Sequence, residues 1–328
     1  MVKAAILGCG AWGTTLAKIL AENGQEPTVW CHDAAIAAQI NARENKELLP
    51  GIILPAAVKG SVSLAETLDG AGLVVVVTAS QYYRQTVVQI KNLVPPNCLL
   101  LSATKGLDET TGKRMSEVLA EYFADVAVLS GPNISREIAE QKITATVIAA
   151  QNHATARTLQ KIFNNNYFRV YTNNDVIGTE YGGALKNIIA IAAGIIDGQG
   201  LGNNAKAALL VRGMTEIAKL TVAHGGQPAT VFGLTGMGDL ITTCSSALSR
   251  NHHVGEQLAQ GKKLSEILHS MKAVAEGVPT TKLAYALARQ TGTPMPLTEQ
   301  IHAVLYENKP VQDAITALMS RDLKAEGL

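Results

Sequence analysis

The sequence has 328 residues, which is enough for two domains of ordinary size. Hydrophobic residues make up 47% of it and charged residues 17%, so the composition excludes a disordered chain and favours an α/β fold with buried strands. Its 28 basic and 27 acidic residues give a net charge of +1, which excludes a whole-chain electrostatic affinity for nucleic acid or an anionic membrane.

The cysteines and the hydropathy of the sequence indicate which kinds of site and location to expect. The four cysteines form no CxxC pair and stand at no metal-ligand spacing with a histidine, so we expect no metal site and no disulfide framework. The longest strongly apolar run, residues 188–196, is about half the length that spans a bilayer, and the first residues show no signal-peptide pattern. We therefore expect a cytoplasmic protein with no membrane insertion and no nucleic-acid partner.

Short apolar runs alternate with helical patterns in the first half of the chain. The predicted strands are residues 2–7, 27–30, 73–77, 99–102, 126–129 and 146–149. The predicted helices are residues 12–23, 34–41, 81–93, 113–123 and 154–163. This strand–helix–strand repetition predicts right-handed crossovers and a parallel sheet.

Helical patterns dominate after about Val170. The predicted helices there are residues 175–196, 204–224, 252–260, 280–289, 297–307 and 311–321. Residues 171–175 are the predicted boundary, and Asp175 is a predicted helix N-cap. We therefore expect a nucleotide-type α/β domain at residues 1–174, followed by an all-helical domain at residues 175–328.

A glycine-rich turn, Gly8-x-Gly10-x-x-Gly13, links the first predicted strand to the first predicted helix. In this context Gly8 makes a tight turn, Gly10 lets the backbone approach a pyrophosphate, and Gly13 packs the helix against the strand. The helix N-terminus then offers its N–H groups to the phosphates. The motif predicts a Rossmann-like doubly wound domain, although a turn used only for packing is the alternative. Trp12 either covers the cofactor or packs into the core.

The second predicted strand is followed by His32 and Asp33 rather than directly by an acid. An acid at that point normally binds the ribose of NAD, whereas a histidine suits a 2′-phosphate or the adenine. Asp33 is alternatively a plain N-cap of the next helix. We expect the protein to accept both NAD and NADP.

Two loops in the first half follow predicted strands at the edge where open α/β sheets bind ligands. One carries Lys105, which suits a carbonyl or an anion, and the other is the Ser130–Gly131–Pro132–Asn133 loop. A surface lysine and a simple turn are the alternatives.

Lys186 lies in an apolar predicted helix, one turn after Gly182 and Gly183. Burial makes a lysine a usable proton carrier, and Asp239, in a glycine-rich loop, is a candidate counter-ion. The alternatives are glycines that pack helices together, a lysine that reaches the surface, and an N-cap aspartate.

The run Ser249–Arg250–Asn251 starts a predicted helix. Ser249 suits an N-cap, and the planar guanidinium of Arg250 at a helix start matches a phosphate. The sequence therefore predicts an anion site at this helix start that matches a phosphate group.

Taken in order, GCGAWGT, SATKGL, SGPN, GGALKN, GLTGMGDL, LSRN and AEGV closely resemble the motifs of bacterial-type NAD(P)-dependent glycerol-3-phosphate dehydrogenases. The resemblance runs from the glycine turn to about Arg321. It implies hydride transfer between NAD(P)H and dihydroxyacetone phosphate, giving sn-glycerol 3-phosphate for glycerophospholipid synthesis. It also implies a homodimer.

The resemblance also implies roles for individual residues, with Lys186 as the catalytic proton acceptor and donor, supported by Lys105 and Asp239. The cofactor positions that it implies are Gly8, Gly10, Ala11, Trp12, Gly13, His32, Lys105, Ser135, Arg250, Val274 and Glu276. The substrate positions that it implies are Lys105, Gly131, Asn133, Lys186, Asp239, Ser249, Arg250 and Asn251. The chain departs from many relatives at Asn133 and Ser135, and it lacks an arginine near His32.

Two other functions fit parts of this pattern. A related two-domain β-hydroxyacid or ketopantoate-type reductase shares the glycine turn and a catalytic lysine, but it needs a carboxylate site instead of a phosphate site. A nucleotide-binding regulator without turnover does not need Lys105, Lys186 and Asp239 together.

Overall fold

The computed structural model describes residues 1–246, 249–271, 274–323 and 325–326. The chain divides into two compact units, Met1–Val176 and Ile177–Leu328. In the described part of the chain, no helix combines the length and the apolar character that a bilayer crossing requires.

The first unit is an α/β unit. Its strands are β1 (Lys3–Leu7), β2 (Glu26–Trp30), β3 (Lys59–Ser61), β4 (Leu73–Val76), β5 (Leu99–Ser102), β6 (Val126–Ser130), β7 (Thr144–Ala149) and β8 (Phe168–Asn173). Its helices are α1 (Ala11–Glu22), α2 (Ala34–Asn41), α3 (Leu64–Leu68), α4 (Ser80–Ile90), α5 (Met115–Ala120), α6 (Ser135–Ala139) and α7 (His153–Phe163).

The strands form one sheet in the order β3-β2-β1-β4-β5-β6-β7-β8. The strand order reverses direction between β1 and β4, which pair in parallel from Ala4↔Leu73 to Leu7↔Val76. That reversal defines a doubly wound, Rossmann-like sheet, whose ligands bind beyond the carboxyl ends of the strands at the reversal point. The predicted fold of the first half is confirmed.

The central strands are apolar because helices cover both faces of the sheet. All four residues of β4 are buried, and alternate residues of β1 enter different cores. Ile6 packs in the cluster with Leu16 and Val29, whereas Leu7 packs in the cluster with Val74 and Tyr83. The two cores fix the position of the turn that follows Leu7.

The sheet departs from the prediction in three places. β7 pairs with β6 in the antiparallel direction, because the one-turn helix α6 between them is too short to carry the chain back along the sheet. The prediction missed β3, which has no apolar run, and β8, in which buried and exposed residues alternate. The predicted boundary at residues 171–175 therefore begins inside a strand.

The second unit is helical throughout its described residues, as predicted. Its long helices are α8 (Val176–Gly198), α9 (Gly202–Ala223), α12 (Arg250–Ala259), α14 (Gly277–Thr291), α15 (Pro296–Tyr306) and α16 (Val311–Met319). The prediction missed the short elements α10 (Pro228–Val231), a π-helical turn (Leu234–Gly238) and α13 (Leu264–Ser270). The glycine-rich loop leads into a further short helix, α11 (Asp239–Ser245).

Helix α8 is the centre of the second unit, because every residue from 178 to 196 is buried. Glycines let α12 cross it at backbone contact. A Cβ added to Gly255 would lie 1.9 Å from the carbonyl oxygen of Ile191, and one added to Gly194 would lie 1.9 Å from that of His252. This crossing holds the N-terminus of α12 beside the middle of α8.

We expect Gly255→Ala to destabilise the second unit, since the new methyl group forces α8 and α12 apart. The overpacking costs about 1–3 kcal/mol, against a gain of up to about 1 kcal/mol in helix propensity. Denaturant unfolding measures the change, and His253→Ala, at an exposed position of α12, is the control. A Gly255→Ala variant as stable as this control would contradict the close crossing.

Candidate active site

The glycine turn between β1 and α1 has a different steric reason for each glycine. Gly8 has φ +132°, and a Cβ there would lie 2.9 Å from the carbonyl carbon of Val77. A Cβ on Gly13 would lie 1.9 Å from the carbonyl oxygen of Gly8, so helix and turn touch. Gly10 is exposed and would meet no atom within 4 Å. The turn is therefore packed against the protein at Gly8 and Gly13 and has free space beside Gly10.

The open side of this turn fits a dinucleotide pyrophosphate. Gly10 is the N-cap of α1, so the free N–H groups of the first helical turn, which begins at Ala11, lie beside it. Trp12 is half-buried and packs against the core below the turn. Asn45 braces the turn from beneath, since its Nδ2 donates to the carbonyl oxygen of Cys9 at 3.2 Å and to Thr14 Oγ1 at 3.0 Å.

The two residues after β2, His32 and Asp33, have different roles in the structure. The Asp33 carboxylate accepts a hydrogen bond from the backbone N–H of Ala35 at 2.7 Å, so Asp33 is the N-cap of α2. His32 is exposed at the carboxyl end of β2. Ser135, at the start of α6, accepts a hydrogen bond at its carbonyl oxygen from Thr15 Oγ1 of α1 at 3.2 Å. That bond places Ser135 beside the helix that follows the glycine turn.

Lys105 and the loop after β6 meet at the carboxyl edge of the sheet. Lys105 is half-buried, and its Nζ donates to the carbonyl oxygen of Gly131 at 2.8 Å. Gly131 has φ +150°, and a Cβ there would lie 3.1 Å from Thr146. Asn133 Nδ2 donates to Thr146 Oγ1 at 3.0 Å, while Asn133 Oδ1 is buried with no partner among the described residues. The predicted Lys105, Gly131 and Asn133 therefore lie together.

In the second unit, Lys186 of α8 is buried in contact with Asp239 of α11. Its Nζ lies 3.1 Å from Asp239 Oδ1, and the two side chains are 7% and 3% exposed. Lys186 Nζ also donates to Thr243 Oγ1 at 2.6 Å, and Thr243 Oγ1 donates to Asp239 Oδ1 at 3.2 Å. The three side chains form a closed polar cluster in an apolar helix core, and we call it the lysine cluster.

Gly182 brings α11 close enough to complete the lysine cluster. A Cβ on Gly182 would lie 3.1 Å from Gly236 Cα and from the carbonyl oxygen of Thr235, in the π-helical turn that leads into α11. Gly182 therefore serves helix packing, which was one interpretation of the glycine pair. Thr243 was missed in the sequence, although it lies four residues after Asp239 on the same helix face.

The N-terminus of α12 is tied directly to the lysine cluster's helix. Asn251 Nδ2 donates to Asn187 Oδ1 at 2.8 Å, and Asn251 Oδ1 accepts from the backbone N–H of Gly277 at 2.9 Å. The neighbours of these two asparagines in sequence are Lys186 and Arg250. Asn187 was also missed in the sequence, where only its position beside Lys186 indicates a role.

Arg250 stands exposed at the first position of α12, after the N-cap Ser249, whose hydroxyl accepts from the backbone N–H of His252 at 3.2 Å. Desolvation by the surrounding atoms lowers the pKa of the Arg250 guanidinium, and the charge of Glu276 opposes that shift. Glu276, the N-cap of α14, therefore lies near Arg250, and Val274 is half-buried two residues before it. The second unit thus has a buried cation, Lys186, on α8 and an exposed cation, Arg250, at the start of α12.

A doubly wound sheet with this glycine turn, followed by a helical unit, is typical of two-domain dinucleotide-dependent dehydrogenases. Two family models match the chain. Residues 3–156 match the N-terminus, and residues 175–316 the C-terminus, of NAD-dependent glycerol-3-phosphate dehydrogenase.

Individual relatives agree with the family models. The glycerol-3-phosphate dehydrogenase of Geobacter sp. strain M21, named for NAD(P)+, is 46% identical, and the match covers 99% of both chains. That of Geobacillus kaustophilus is also 46% identical and covers 99% of this chain and 96% of its own. The solved glycerol-3-phosphate dehydrogenase of Coxiella burnetii is 36% identical, with a TM-score of 0.93 over 97% of this chain and 98% of that one. The chain belongs to the NAD-dependent glycerol-3-phosphate dehydrogenase family.

We expect Lys186→Met to lower the free energy of unfolding by about 3–5 kcal/mol, because it leaves the buried Asp239 carboxylate without its cation. Adding Asp239→Asn to that variant should recover most of the loss, since no buried charge then remains. Denaturant unfolding of both single variants and the double variant measures the coupling. Lys219→Met, at an exposed position of α9, is the matched control. Equal losses for Lys186→Met and this control would contradict the buried ion pair.

Proposed function

We propose that this chain catalyses reversible hydride transfer between NADH or NADPH and dihydroxyacetone phosphate, with sn-glycerol 3-phosphate as the reduced product. The observation that carries the proposal is the Asn187–Asn251 hydrogen bond at 2.8 Å. This bond joins the helix of Lys186, a buried lysine suited to proton transfer, to the start of the helix that carries Arg250. Arg250 is exposed and suited to bind a phosphate.

Residues 1–174 are proposed as the dinucleotide-binding domain. Its glycine turn and the start of α1 would hold the pyrophosphate, with Gly8, Gly10, Ala11, Trp12 and Gly13 in contact or close by. When bound, the nicotinamide supplies or accepts the hydride. The remaining proposed cofactor residues are His32, Lys105, Ser135, Arg250, Val274 and Glu276. Exposed His32, with Asp33 committed to its cap, supports the use of both NAD and NADP.

Residues 175–328 are proposed as the substrate-binding and catalytic domain. Lys186 Nζ donates a proton to the oxygen on C2 of dihydroxyacetone phosphate during reduction, and it accepts that proton during oxidation. Its positive charge also stabilises the alkoxide that develops there. Asp239 and Thr243 fix the direction of Nζ through their 3.1 Å and 2.6 Å contacts, so the lysine needs no reorganisation when the substrate arrives.

Arg250 is proposed as the phosphate anchor. Its guanidinium offers paired N–H donors that match phosphate oxygens, and the N-terminus of α12 adds a favourable dipole. Ser249 and Asn251 flank it at that helix start. In the first unit, Lys105, Gly131 and Asn133 are the proposed substrate loop, supported by the Lys105–Gly131 hydrogen bond.

The product, sn-glycerol 3-phosphate, is proposed to supply glycerophospholipid synthesis. A cytoplasmic location is supported by four cysteines that all remain free thiols. A homodimer is proposed on the family resemblance.

The direct test is an absorbance assay that follows oxidation of NADH and NADPH on addition of dihydroxyacetone phosphate. We expect oxidation with both cofactors, and sn-glycerol 3-phosphate as the product. No oxidation with dihydroxyacetone phosphate but turnover of ketopantoate would overturn the proposal in favour of the related reductases.

We expect Arg250→Ala to raise KM for dihydroxyacetone phosphate and to lower kcat/KM, because a charge-assisted phosphate contact is lost. The fall in kcat/KM should correspond to about 2–5 kcal/mol of lost transition-state stabilisation. Unphosphorylated dihydroxyacetone should be reduced equally by the variant and the wild type. Arg212→Ala, an exposed arginine of α9, is the control. A KM within about twofold of wild type would place the phosphate elsewhere.

We expect the double variant Lys186→Met with Asp239→Asn to lose at least about 10²-fold in kcat while still binding NADH, because the proton carrier is gone but no buried charge is left unpaired. Lys186→Arg should also lose turnover, since arginine does not release its proton. Steady-state kinetics and fluorescence titration with NADH measure the two effects. Near-normal turnover in the folded double variant would contradict this role of Lys186.

A further inference from the structure

The glycines at the crossing of α8 and α12 bring the two helices close but do not interlock them. A Cβ on Gly194 or Gly255 would lie 1.9 Å from a carbonyl oxygen of the opposite helix. Helices resist rotation against each other when side chains of one fit between side chains of the other, and glycines have none to offer. Arg250 stands on the first turn of α12, so its direction depends on the other contacts that hold that turn.

His252 lies on this first turn and makes three contacts there. Its backbone N–H donates to Ser249 Oγ, the N-cap of α12, at 3.2 Å. Its carbonyl oxygen faces Gly194 at the crossing, and its ring Nε2 lies 2.7 Å from Oδ2 of Asp197, near the end of α8. The residue is 7% exposed. His252 therefore connects the N-cap of α12 to α8 through both its backbone and its side chain.

Asp197 is an ionised acceptor for the His252 ring. Lys206 of α9 donates to the same Oδ2 atom at 2.6 Å. Burial opposes ionisation of the Asp197 carboxyl, but hydrogen bonds from Lys206 and His252 outweigh it and hold its pKa below the usual value. Because an ionised carboxylate has no proton to give, the His252 Nε2–H is the donor. A hydrogen bond to a charged acceptor is stronger than one between neutral groups.

Two side chains of the first turn of α12 are held in opposite directions along α8. Asn251 Nδ2 donates to Asn187 Oδ1 at 2.8 Å, on the side of Lys186, whereas His252 reaches Asp197. Their two partners stand about 15 Å apart along α8, at a rise of about 1.5 Å per residue. A rotation of α12 that keeps one of these hydrogen bonds breaks the other. The pair of contacts therefore fixes the rotation of α12 that the glycine crossing leaves open.

We propose that His252 is a positioning residue for the substrate phosphate, because its hydrogen bond to Asp197 holds the start of α12 at the angle at which the Arg250 guanidinium meets that phosphate. The inference rests on the proposed role of Arg250 as the phosphate anchor. His252 is buried and acts through Arg250, so it affects binding of the phosphate and not proton transfer at Lys186.

The first test is His252→Leu, which keeps a side chain of similar size but removes the ring donor. Asp197 retains Lys206, so the change leaves no unpaired carboxylate. We expect KM for dihydroxyacetone phosphate to rise about tenfold and kcat to stay within about twofold of wild type, because the anchor is misdirected while the lysine cluster is intact. Steady-state kinetics measure both constants. His253→Leu, the same change at the exposed neighbouring position, is the matched control and should keep the wild-type KM.

Three further variants and a second substrate separate positioning from a general loosening of the second unit. His252→Gln keeps an N–H donor and should restore most of the lost affinity. Asp197→Ala removes the partner at a partly exposed position and should raise the same KM, so the test does not depend on folding of the Leu variant. Unphosphorylated dihydroxyacetone should be reduced equally by His252→Leu and wild type. The double variant Arg250→Ala with His252→Leu should have a KM within about twofold of Arg250→Ala alone, since His252 acts through Arg250.

The proposal would be overturned by an unchanged KM in His252→Leu and Asp197→Ala, by an equal loss of turnover with the unphosphorylated substrate, or by effects of Arg250→Ala and His252→Leu that multiply in the double variant. If Arg250→Ala raises KM and these variants do not, the phosphate anchor stands and only the role of His252 fails. If Arg250→Ala itself leaves KM unchanged, the proposed anchor fails, and the positioning role fails with it.

Discussion

The second unit depends on keeping one charged group inside an apolar helix core. Lys186 lies in a helix whose residues 178–196 are all buried, where an unpaired ammonium group would be costly. Asp239 at 3.1 Å supplies the opposite charge, and Thr243 supplies a further acceptor. Because removal of either charge leaves the other buried and unpaired, the positions of α8 and α11 are fixed by the same contact that would hold the lysine in its proposed role as proton carrier.

Glycines make this arrangement possible in both units, because each site needs backbone segments closer together than side chains allow. Gly13 brings α1 onto the Gly8 turn, Gly182 brings the π-helical turn onto α8, and Gly255 brings α12 onto α8. The last crossing allows Asn251 to reach Asn187, which links the helix start that carries Arg250 to the helix that carries Lys186. The geometry of both proposed sites therefore depends on close backbone contacts.

Much of the fold and part of the site were predictable from the sequence. Strands such as β4 and β5 are short apolar runs, and α8 is a long apolar helix, so hydrophobic periodicity finds them. Strand β3 and the π-helical turn have no such signal, and the antiparallel β7 follows from the length of a connection. The glycine turn, Lys186 and Asp239 stand in recognisable local patterns. Thr243 and Asn187 join the site only through tertiary contacts.

In the proposed mechanism, the lysine cluster holds the proton for the substrate oxygen while Arg250 holds the substrate phosphate. A crystal structure of the protein with NAD+ and dihydroxyacetone phosphate tests both statements at once, because this mismatched pair binds without reacting. We expect Lys186 Nζ about 2.6–3.2 Å from the oxygen on C2, with Asp239 and Thr243 still in contact with Lys186 and the phosphate against Arg250. A phosphate bound at Lys186, or a C2 oxygen held by a different side chain, would contradict it.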